Sequence, residues 1–169
     1  MNDERYLKVR RKEAKNTMEP KFVSRPAFSL VGMKVRVKPQ SNIPGQLWDE
    51  FGPRMGEIQH TAAPDVAYGV TDNMDMATGE FDYFAGMEVS STADIPAGMV
   101  ALDVPAQTYA VFPCTLSTIR ETYQDIYGIW LPMSGYVSAP GPELEVYGET
   151  FDPREPASIF DVYIPVLKA

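Results

Sequence analysis

A short pattern that occurs twice constrains the fold of this chain more than any other feature. Tyr-Gly-x-Thr stands at 68–71 and again at 147–150, and Phe-Asp stands at 81–82 and again at 160–161. The residue numbers differ by 79 in both cases. A constant offset between matching motifs indicates an internal duplication, and chance is the weaker explanation. The sequence therefore predicts two related halves, at 22–92 and 98–168.

Each half has the order strand, helix, strand, strand. Residues 31–37 alternate between apolar and mostly basic side chains, which is typical of a strand with one buried face. Apolar residues at helical spacing follow the first strand of each half, and Gly52-Pro53 predicts a kink or break in the first helix. Thr118 and Glu121 fit a capping box at the start of the second helix. These patterns predict an α+β fold of tandem β-α-β-β repeats related by a pseudo-twofold axis.

Composition limits both the size of the fold and its partners. The chain has 169 residues, 44% of them hydrophobic, which is enough for a single domain at 19–169 after an arm or short helix at 1–18. The net charge of −8 argues against nucleic-acid binding, which depends on Lys and Arg contacts to phosphates, and mildly favours cationic partners. No apolar run is long enough to cross a bilayer, and the charged N-terminus lacks a signal-peptide core. The lone Cys114 excludes an intramolecular disulfide, and a cytoplasmic protein is expected.

The strand predicted around residue 145 carries the most informative side chains. Glu143, Glu145 and Tyr147 alternate with Leu144 and Val146, so two carboxylates and a ring share one face. We predict a cavity with aromatic walls around Glu145, suited to a cationic or polar aromatic small molecule. Glu143 points the same way and is the main rival for the central role.

The duplication adds a reason to single out Glu145, because it occupies the position that Val66 holds in the first half. A carboxylate in an otherwise apolar framework is costly unless it has a partner, so we expect a functional role. Glu88 is a third candidate, more readily explained as paired or exposed. The large aromatic residues are candidate pocket walls, although half of them are expected to be ordinary core: Tyr147, Tyr68, Trp48, Phe51, Tyr109, Trp130 and Phe160.

No pattern predicts a metal or a cofactor. His60 has no Cys or His at metal-ligand spacing, and Cys114 has no nearby base in the sequence, which favours a buried structural thiol. The sequence has no glycine-rich phosphate loop and no nucleophile elbow. A bound small molecule is therefore the expected partner.

Several stretches resemble the GyrI-like small-molecule-binding domain, which is also the effector-binding domain of AraC-type and MerR-type transcription regulators. They are Gly-Met-Glu-Val (86–89), Tyr-Ala-Val-Phe (109–112), Trp-Leu-Pro-x-Ser-Gly-Tyr (130–136), Glu-Leu-Glu-Val-Tyr (143–147), Phe-Asp-Pro (151–153) and Ile-Pro-Val (164–166). The resemblance implies one shared, largely antiparallel sheet with two helices. It also implies a pocket glutamate, here Glu145, that meets cationic and often aromatic multidrug-like ligands. Family members often have a His and a Gly where this chain has Cys114-Thr115-Leu116.

Three functions are consistent with these features. The favoured one is a binding protein for cationic or aromatic drug-like compounds, acting as a sensor, a regulator's effector-binding module or a sequestering protein. Such a protein would work alone, as a homodimer or with a separate regulator. The first alternative, implied by stand-alone relatives, is a hydrolase of strained, cyclopropane-bearing electrophiles with Glu145 as the catalytic residue. The second is a protein-binding inhibitor of the gyrase-inhibitor type.

Overall fold

The computed structural model describes residues 4, 5, 8, 9 and 18–169. Residues 4, 5, 8 and 9 are helical. The predicted arm or short helix at 1–18 falls largely outside the described residues, so it stays a prediction. Within the described part, no helix combines the length and the hydrophobicity needed to span a bilayer.

Nine antiparallel strands form the sheet of the described chain. The strands are β1 (Lys21–Arg25), β2 (Phe28–Val37), β3 (Ala67–Asp72), β4 (Phe81–Val89), β5 (Val100–Val104), β6 (Gln107–Cys114), β7 (Tyr136–Ser138), β8 (Glu143–Tyr147) and β9 (Phe160–Lys168). Their order across the sheet is β1-β6-β9-β8-β3-β4-β2-β5, and β7 pairs with the end of β9. The pair formed by β3 and β8 therefore lies at the centre.

Two helical segments connect the strands. Helix α1 (Ile43–Phe51) has Pro44 in its first turn and continues as a 3-10 helix over Gly52–Glu57, so the break predicted at Gly52-Pro53 is confirmed. Helix α2 (Ile119–Asp125) continues as a π-helical turn over Ile126–Trp130 and a last α-helical turn over Leu131–Met133. Both helices have the positions in the chain that the sequence predicts.

The capping box predicted at the start of α2 is wrong. Thr118 makes no side-chain hydrogen bond to the first turn of the helix. Its hydroxyl oxygen instead accepts the backbone N–H of Thr115 at 3.1 Å and lies 2.9 Å from the Thr115 hydroxyl. The loop before the helix competes for the hydroxyl, as is common for Thr and Ser near helix starts.

The helices lie over one face of the sheet, each above its own apolar cluster. Leu47 and Phe51 of α1 pack with residues of β2 and β4, and Ile126 of the second helical segment packs with residues of β6 and β9. The opposite face has a third cluster, which includes Leu30, Tyr109 and Leu144. Because β3 and β8 are central, their helix-side residues lie between the areas covered by the two helices.

The sheet is strongly curled. Arg25 of β1 donates hydrogen bonds to the Tyr68 hydroxyl of β3 and to Glu88 Oε2 of β4, both at 3.0 Å. In a flat sheet β1 and β4 would be about 24 Å apart, since neighbouring strands are about 4.8 Å apart and the two are five strand spacings from each other. The face opposite the helices is therefore folded inward, and the Arg25–Glu88 ion pair joins its two sides.

A very close approach of two strands accompanies this curvature. Gly32 of β2 and Gly86 of β4 are register partners. A Cβ atom at Gly32 would lie 1.9 Å from the carbonyl oxygen of Ala85 and 2.6 Å from the Gly86 Cα. Only glycine permits this packing of one backbone on another.

The predicted α+β class, with one antiparallel sheet and two helices, is confirmed. The strand order is compatible with two related halves, because β3 and β8, β4 and β9, and β2 and β6 occupy equivalent places on either side of the centre. The repeated motifs agree only in part with this arrangement. Phe81 and Phe160 both belong to helix-side clusters, whereas Tyr68 lies on the face opposite to that of Tyr147. The sequence match of β3 with β8 is therefore one residue out of step with the structure.

Candidate functional site

Glu145 lies at the centre of the sheet and points toward the helices. Its neighbours Leu144 and Val146 belong to the cluster on the opposite face, as the alternation of the strand predicts. The side chain is only 9% exposed, although it is a carboxylate. Its register partner in β3 is Gly69, which has no side chain to fill the space beside the carboxylate. The sheet therefore buries a carboxylate at its midpoint, and the missing side chain of Gly69 makes the space for it.

Two tyrosine hydroxyls hold the Glu145 carboxylate. Tyr83 of β4 donates to Oε2 at 2.9 Å, and Tyr147 of β8 donates to the same oxygen at 2.5 Å. The indole N–H of Trp48 in α1 donates to the Tyr83 hydroxyl at 2.8 Å, so the network reaches the first helix. Oε1 accepts no hydrogen bond from the part of the chain that the structure describes.

The electrostatics of Glu145 is dominated by burial. Loss of solvent raises the pKa of the Glu145 carboxyl, although the hydrogen bonds from Tyr147 and Tyr83 partly oppose this. Burial and the nearby carboxylate also raise the pKa values of Tyr83, Tyr147 and Tyr123, so all three phenols remain neutral. Among residues 18–169, no Lys, Arg or His forms an ion pair with Glu145.

Aromatic rings surround the hydrogen-bonded group. The Trp48 ring packs edge-on against Tyr147 at a centroid distance of 5.4 Å, and Phe51 lies 5.7 Å from Trp48. On its other side, Tyr147 contacts Phe160 at 4.5 Å and Phe151 at 4.7 Å. Trp48 and Tyr147 are partly exposed, while Phe51 and Phe160 are buried behind them.

Glu143 belongs to the same site but lies nearer to the solvent. Its side chain is partly exposed and accepts a hydrogen bond from the hydroxyl of Tyr127, which is on the π-helical turn. Burial is the main cause that raises the pKa of Glu143, and the charge of Glu145 adds to it. Tyr123 of α2 interacts electrostatically with both carboxylates.

The structure brings together only some of the residues that the sequence predicts for the site. Glu145, Tyr147 and Trp48 form its centre, and Phe51 and Phe160 lie directly behind the two exposed rings. The other three predicted residues make their ring contacts elsewhere: Tyr68 with Phe28, Tyr109 with Tyr163, and Trp130 with Phe22, Phe112 and Tyr136.

The three candidate glutamates are clearly separated. Glu88 lies with Tyr68 on the face opposite the helices and is paired with Arg25 at 3.0 Å. Glu145 is the buried inner carboxylate, and Glu143 is the outer one on the same strand face. The paired glutamate thus has a counter-charge within the protein, while the two on β8 are bonded to tyrosine hydroxyls.

Sequence reasoning did not assign Tyr83 or Tyr123 to the site. Tyr83 is separated from Glu145 by 62 residues, and they meet only because β3 lies between β4 and β8. In this register Thr71 is the partner of both Tyr83 and Glu143. The pairing of β4, β3 and β8 is the signal that would have identified Tyr83 as a site residue. This pairing places Tyr83 one row away from Glu145 on the same face of the sheet.

Two other features lie outside this constellation. A cavity of about 190 Å³ opens near the start of α2, lined by Met18, Glu19, Phe112, Pro113, Thr118, Glu121, Thr122 and Asp125. Cys114 is buried, and burial raises the pKa of its thiol to about 12, so it remains protonated. Across the described residues, no group of three or more His, Cys, Asp or Glu side chains is placed to hold a metal ion.

Gly69→Ala is expected to destabilise the site. The added Cβ would lie 2.5 Å from both Glu145 Oε2 and the Tyr83 hydroxyl, so the buried hydrogen bonds must shift. We expect the free energy of unfolding in urea to fall by about 1–3 kcal/mol, as for other overpacked sites. The control is Gly148→Ala, the matching glycine of the sequence repeat, where a Cβ would meet nothing within 4 Å. Equal losses at the two positions would contradict the close packing around Glu145.

The sheet of antiparallel strands with two helices over one face is the fold of the GyrI-like effector-binding domains. The family model "Cass2: Integron-associated effector binding protein" matches residues 21–166. The chain therefore belongs to this family of effector-binding proteins, and the resemblance inferred from its sequence motifs is confirmed.

One relative is a transcription regulator. The chain is 41% identical over 152 residues to Transcriptional regulator BrlR of Pseudomonas aeruginosa, an alignment that covers 88% of this chain and 56% of BrlR. The chain thus spans about half the length of this curated relative.

Solved structures share the fold at low sequence identity. SAV2435, solved bound to tetraphenylphosphonium, has a TM-score of 0.71 and 18% identity, with 89% of this chain and 94% of that chain covered. The C-terminal domain of EcmrR has a TM-score of 0.62 and 15% identity, with 89% of this chain and 98% of that chain covered. At such identities the likeness establishes the fold alone.

Proposed function

We propose that this protein binds lipophilic aromatic cations between its two helices, with Glu145 as the counter-charge and Trp48 and Tyr147 as aromatic walls. One observation carries the proposal: Glu145 is buried at the centre of the sheet with tyrosine hydroxyls as its hydrogen-bond donors and no cationic partner among the described residues. A buried carboxylate of this kind is stabilised by a cation that arrives with the ligand.

The surrounding rings suit the same class of ligand. A cation within about 6 Å of an aromatic face gains roughly 0.5–2 kcal/mol per ring, and most when it is shielded from water. Trp48 and Tyr147 are both partly exposed and lie beside the carboxylate. The net charge of −8 adds a long-range attraction for cations. Tetraphenylphosphonium, the compound bound in the SAV2435 structure, combines four rings with one positive charge and is the natural probe.

The affinity for tetraphenylphosphonium is expected to rise with pH. The cation favours the ionised carboxylate, and burial raises the pKa of Glu145, so at low pH binding must first displace a proton. Affinity should increase with pH by at most about tenfold per pH unit and become constant above the raised pKa of the ligand-free protein. Calorimetric titration between pH 4.5 and 8, in buffers of different ionisation enthalpy, measures both the affinity and the released protons.

The uncharged control for that titration is triphenylphosphine oxide, which keeps three rings but has no net charge. Its affinity is expected to be weak and independent of pH. The groups facing Glu145 that also titrate are one carboxyl, three phenols and one thiol: Glu143, Tyr83, Tyr123, Tyr147 and Cys114. The phenol and thiol pKa values are all raised, so above pH 4.5 only the two carboxyls change charge. Equal affinities for the cation and the oxide at every pH would refute the proposal.

Hydrolysis with Glu145 as the catalytic residue stays a separate prediction. A buried carboxyl with a raised pKa suits a general acid or base, which is the observation that favours it. The two functions are distinguished by the fate of the ligand, since a binding protein releases it unchanged. Mass spectrometry after prolonged incubation of the protein with a cyclopropane-bearing electrophile detects any product of ring opening.

The regulatory context is also a proposal. Because the chain covers 56% of BrlR, it corresponds to part of a transcription regulator. We propose that it senses or sequesters the cation, either as a homodimer or with a separate regulator protein. Light scattering with and without tetraphenylphosphonium measures directly whether the protein is a homodimer.

A further inference from the structure

We propose that Glu143 and Tyr127 form an outer cation subsite of the same pocket, so that the protein prefers aromatic ligands with two positive charges. This inference rests on the proposed function, because it requires the first charge of the ligand to bind at Glu145. It adds a ligand class and a residue that determines specificity.

The geometry of β8 places the two carboxylates in series. Glu143 and Glu145 are two positions apart on one strand face, which separates their Cα atoms by about 7 Å. Glu145 is 9% exposed, whereas Glu143 is partly exposed, so one is the inner and the other the outer group.

The outer carboxylate also has no cationic partner among the described residues. Its hydrogen-bond donor is the hydroxyl of Tyr127, a side chain that is 37% exposed. Tyr127 can therefore turn toward solvent and give up its place on Glu143 to a charged group of the ligand. A ligand with one charge satisfies only Glu145 and leaves a second carboxylate without a counter-charge.

The π-helical turn is an independent indication that this place is functional. Such turns are rare in proteins and occur frequently at functional sites. Here the turn covers Ile126–Trp130 and contains Tyr127. This turn carries Tyr127, whose hydroxyl donates to Glu143.

The test compares two probes that contain the same single aromatic ring but differ in the number of positive charges. Para-xylylene-bis(trimethylammonium) carries two charges at a spacing of about 7 Å, close to that of the two Cα atoms on β8, and (4-methylbenzyl)trimethylammonium carries one. Both are titrated calorimetrically into the full chain at pH 8. We expect the bis-cation to bind at least about tenfold more tightly. Glu143→Gln should weaken binding of the bis-cation about tenfold more than binding of the mono-cation, while Glu145→Gln should weaken both.

Glu149→Gln is the control, because Glu149 is exposed just beyond β8 and its substitution changes the net charge by the same amount. Equal binding of the two probes to the wild type would overturn the outer subsite and leave the proposed function intact. The same holds if Glu143→Gln weakens both probes equally, or if Glu149→Gln has the effect of Glu143→Gln. No binding of either probe, together with no binding of tetraphenylphosphonium, would contradict both proposals. Circular dichroism confirms that each variant is folded.

Discussion

Glu145→Gln is expected to lower the affinity for tetraphenylphosphonium by roughly 30-fold or more, because losing one partner of a buried charge pair costs about 2–5 kcal/mol. Glutamine keeps the size of the side chain and can still accept hydrogen bonds from Tyr83 and Tyr147, so only the charge is lost. The variant should also lose the dependence of affinity on pH that Glu145 causes. Calorimetric titration of both proteins at pH 8 gives the ratio of affinities.

The same substitution is expected to stabilise the protein without ligand at neutral pH. Burial raises the folded-state pKa of Glu145, so its favourable contribution is complete below the unfolded pKa of about 4.3 and is lost as pH rises through the folded pKa. Urea unfolding at pH 5 and pH 8 should show that the wild type loses more stability over this range than the variant.

Glu149→Gln is again the matched control for this substitution, since it removes one negative charge at an exposed position. A similar loss of affinity in both variants would mean that the net charge of the protein, rather than the buried carboxylate, attracts the ligand. Unchanged affinity in Glu145→Gln would remove the basis of the proposed function.

Gly32→Ala is expected to reduce the free energy of unfolding by about 3 kcal/mol or more, at the upper end of overpacking effects. The added Cβ would lie 1.9 Å from the Ala85 carbonyl oxygen and 2.6 Å from the Gly86 Cα. These are backbone atoms of the paired strand, so no rotation of a side chain can relieve the contact. Strands β2 and β4 would have to separate, which breaks their hydrogen bonds and loosens the cluster beneath α1.

Gly56→Ala provides the comparison for that experiment. Gly56 lies in the 3-10 helix over Gly52–Glu57, and a Cβ there would meet nothing within 4 Å. It should be neutral or slightly stabilising, because alanine reduces the freedom of the unfolded chain. The midpoints and slopes of urea unfolding give the free energy of unfolding of both variants. A decrease of less than about 1 kcal/mol for Gly32→Ala would contradict the close strand packing.

Local patterns were sufficient to predict the parts of the site that depend on one strand. The alternation of residues 143–147 fixed which side chains share a face with Glu145, because strand periodicity depends only on neighbouring residues. The helix break at Gly52-Pro53 was predictable for the same reason, since proline and glycine act locally. Trp48 and Phe51 were also correctly grouped on one helix.

Long-range pairing was not predictable from the same patterns. Tyr83 reaches Glu145 only through the order of three strands, which no local signal specifies. The repeat of Tyr-Gly-x-Thr matched Tyr68 with Tyr147, but the structure puts them on opposite faces of the sheet. A shift of one residue moves every side chain of a strand to the other face, so a sequence match that is one residue out of step gives the wrong side.

The interleaved strand order has a consequence for how the chain acquires its structure during synthesis. Strand β1 pairs with β6, and β3 pairs with β8, so the partner strand of each is synthesised much later. The most C-terminal strand, β9, is inserted between β6 and β8. Neither half can complete its hydrogen bonding alone while the ribosome is still translating the second. We therefore expect a single cooperative folding step, slow for a protein of this size, that begins only after β9 has emerged.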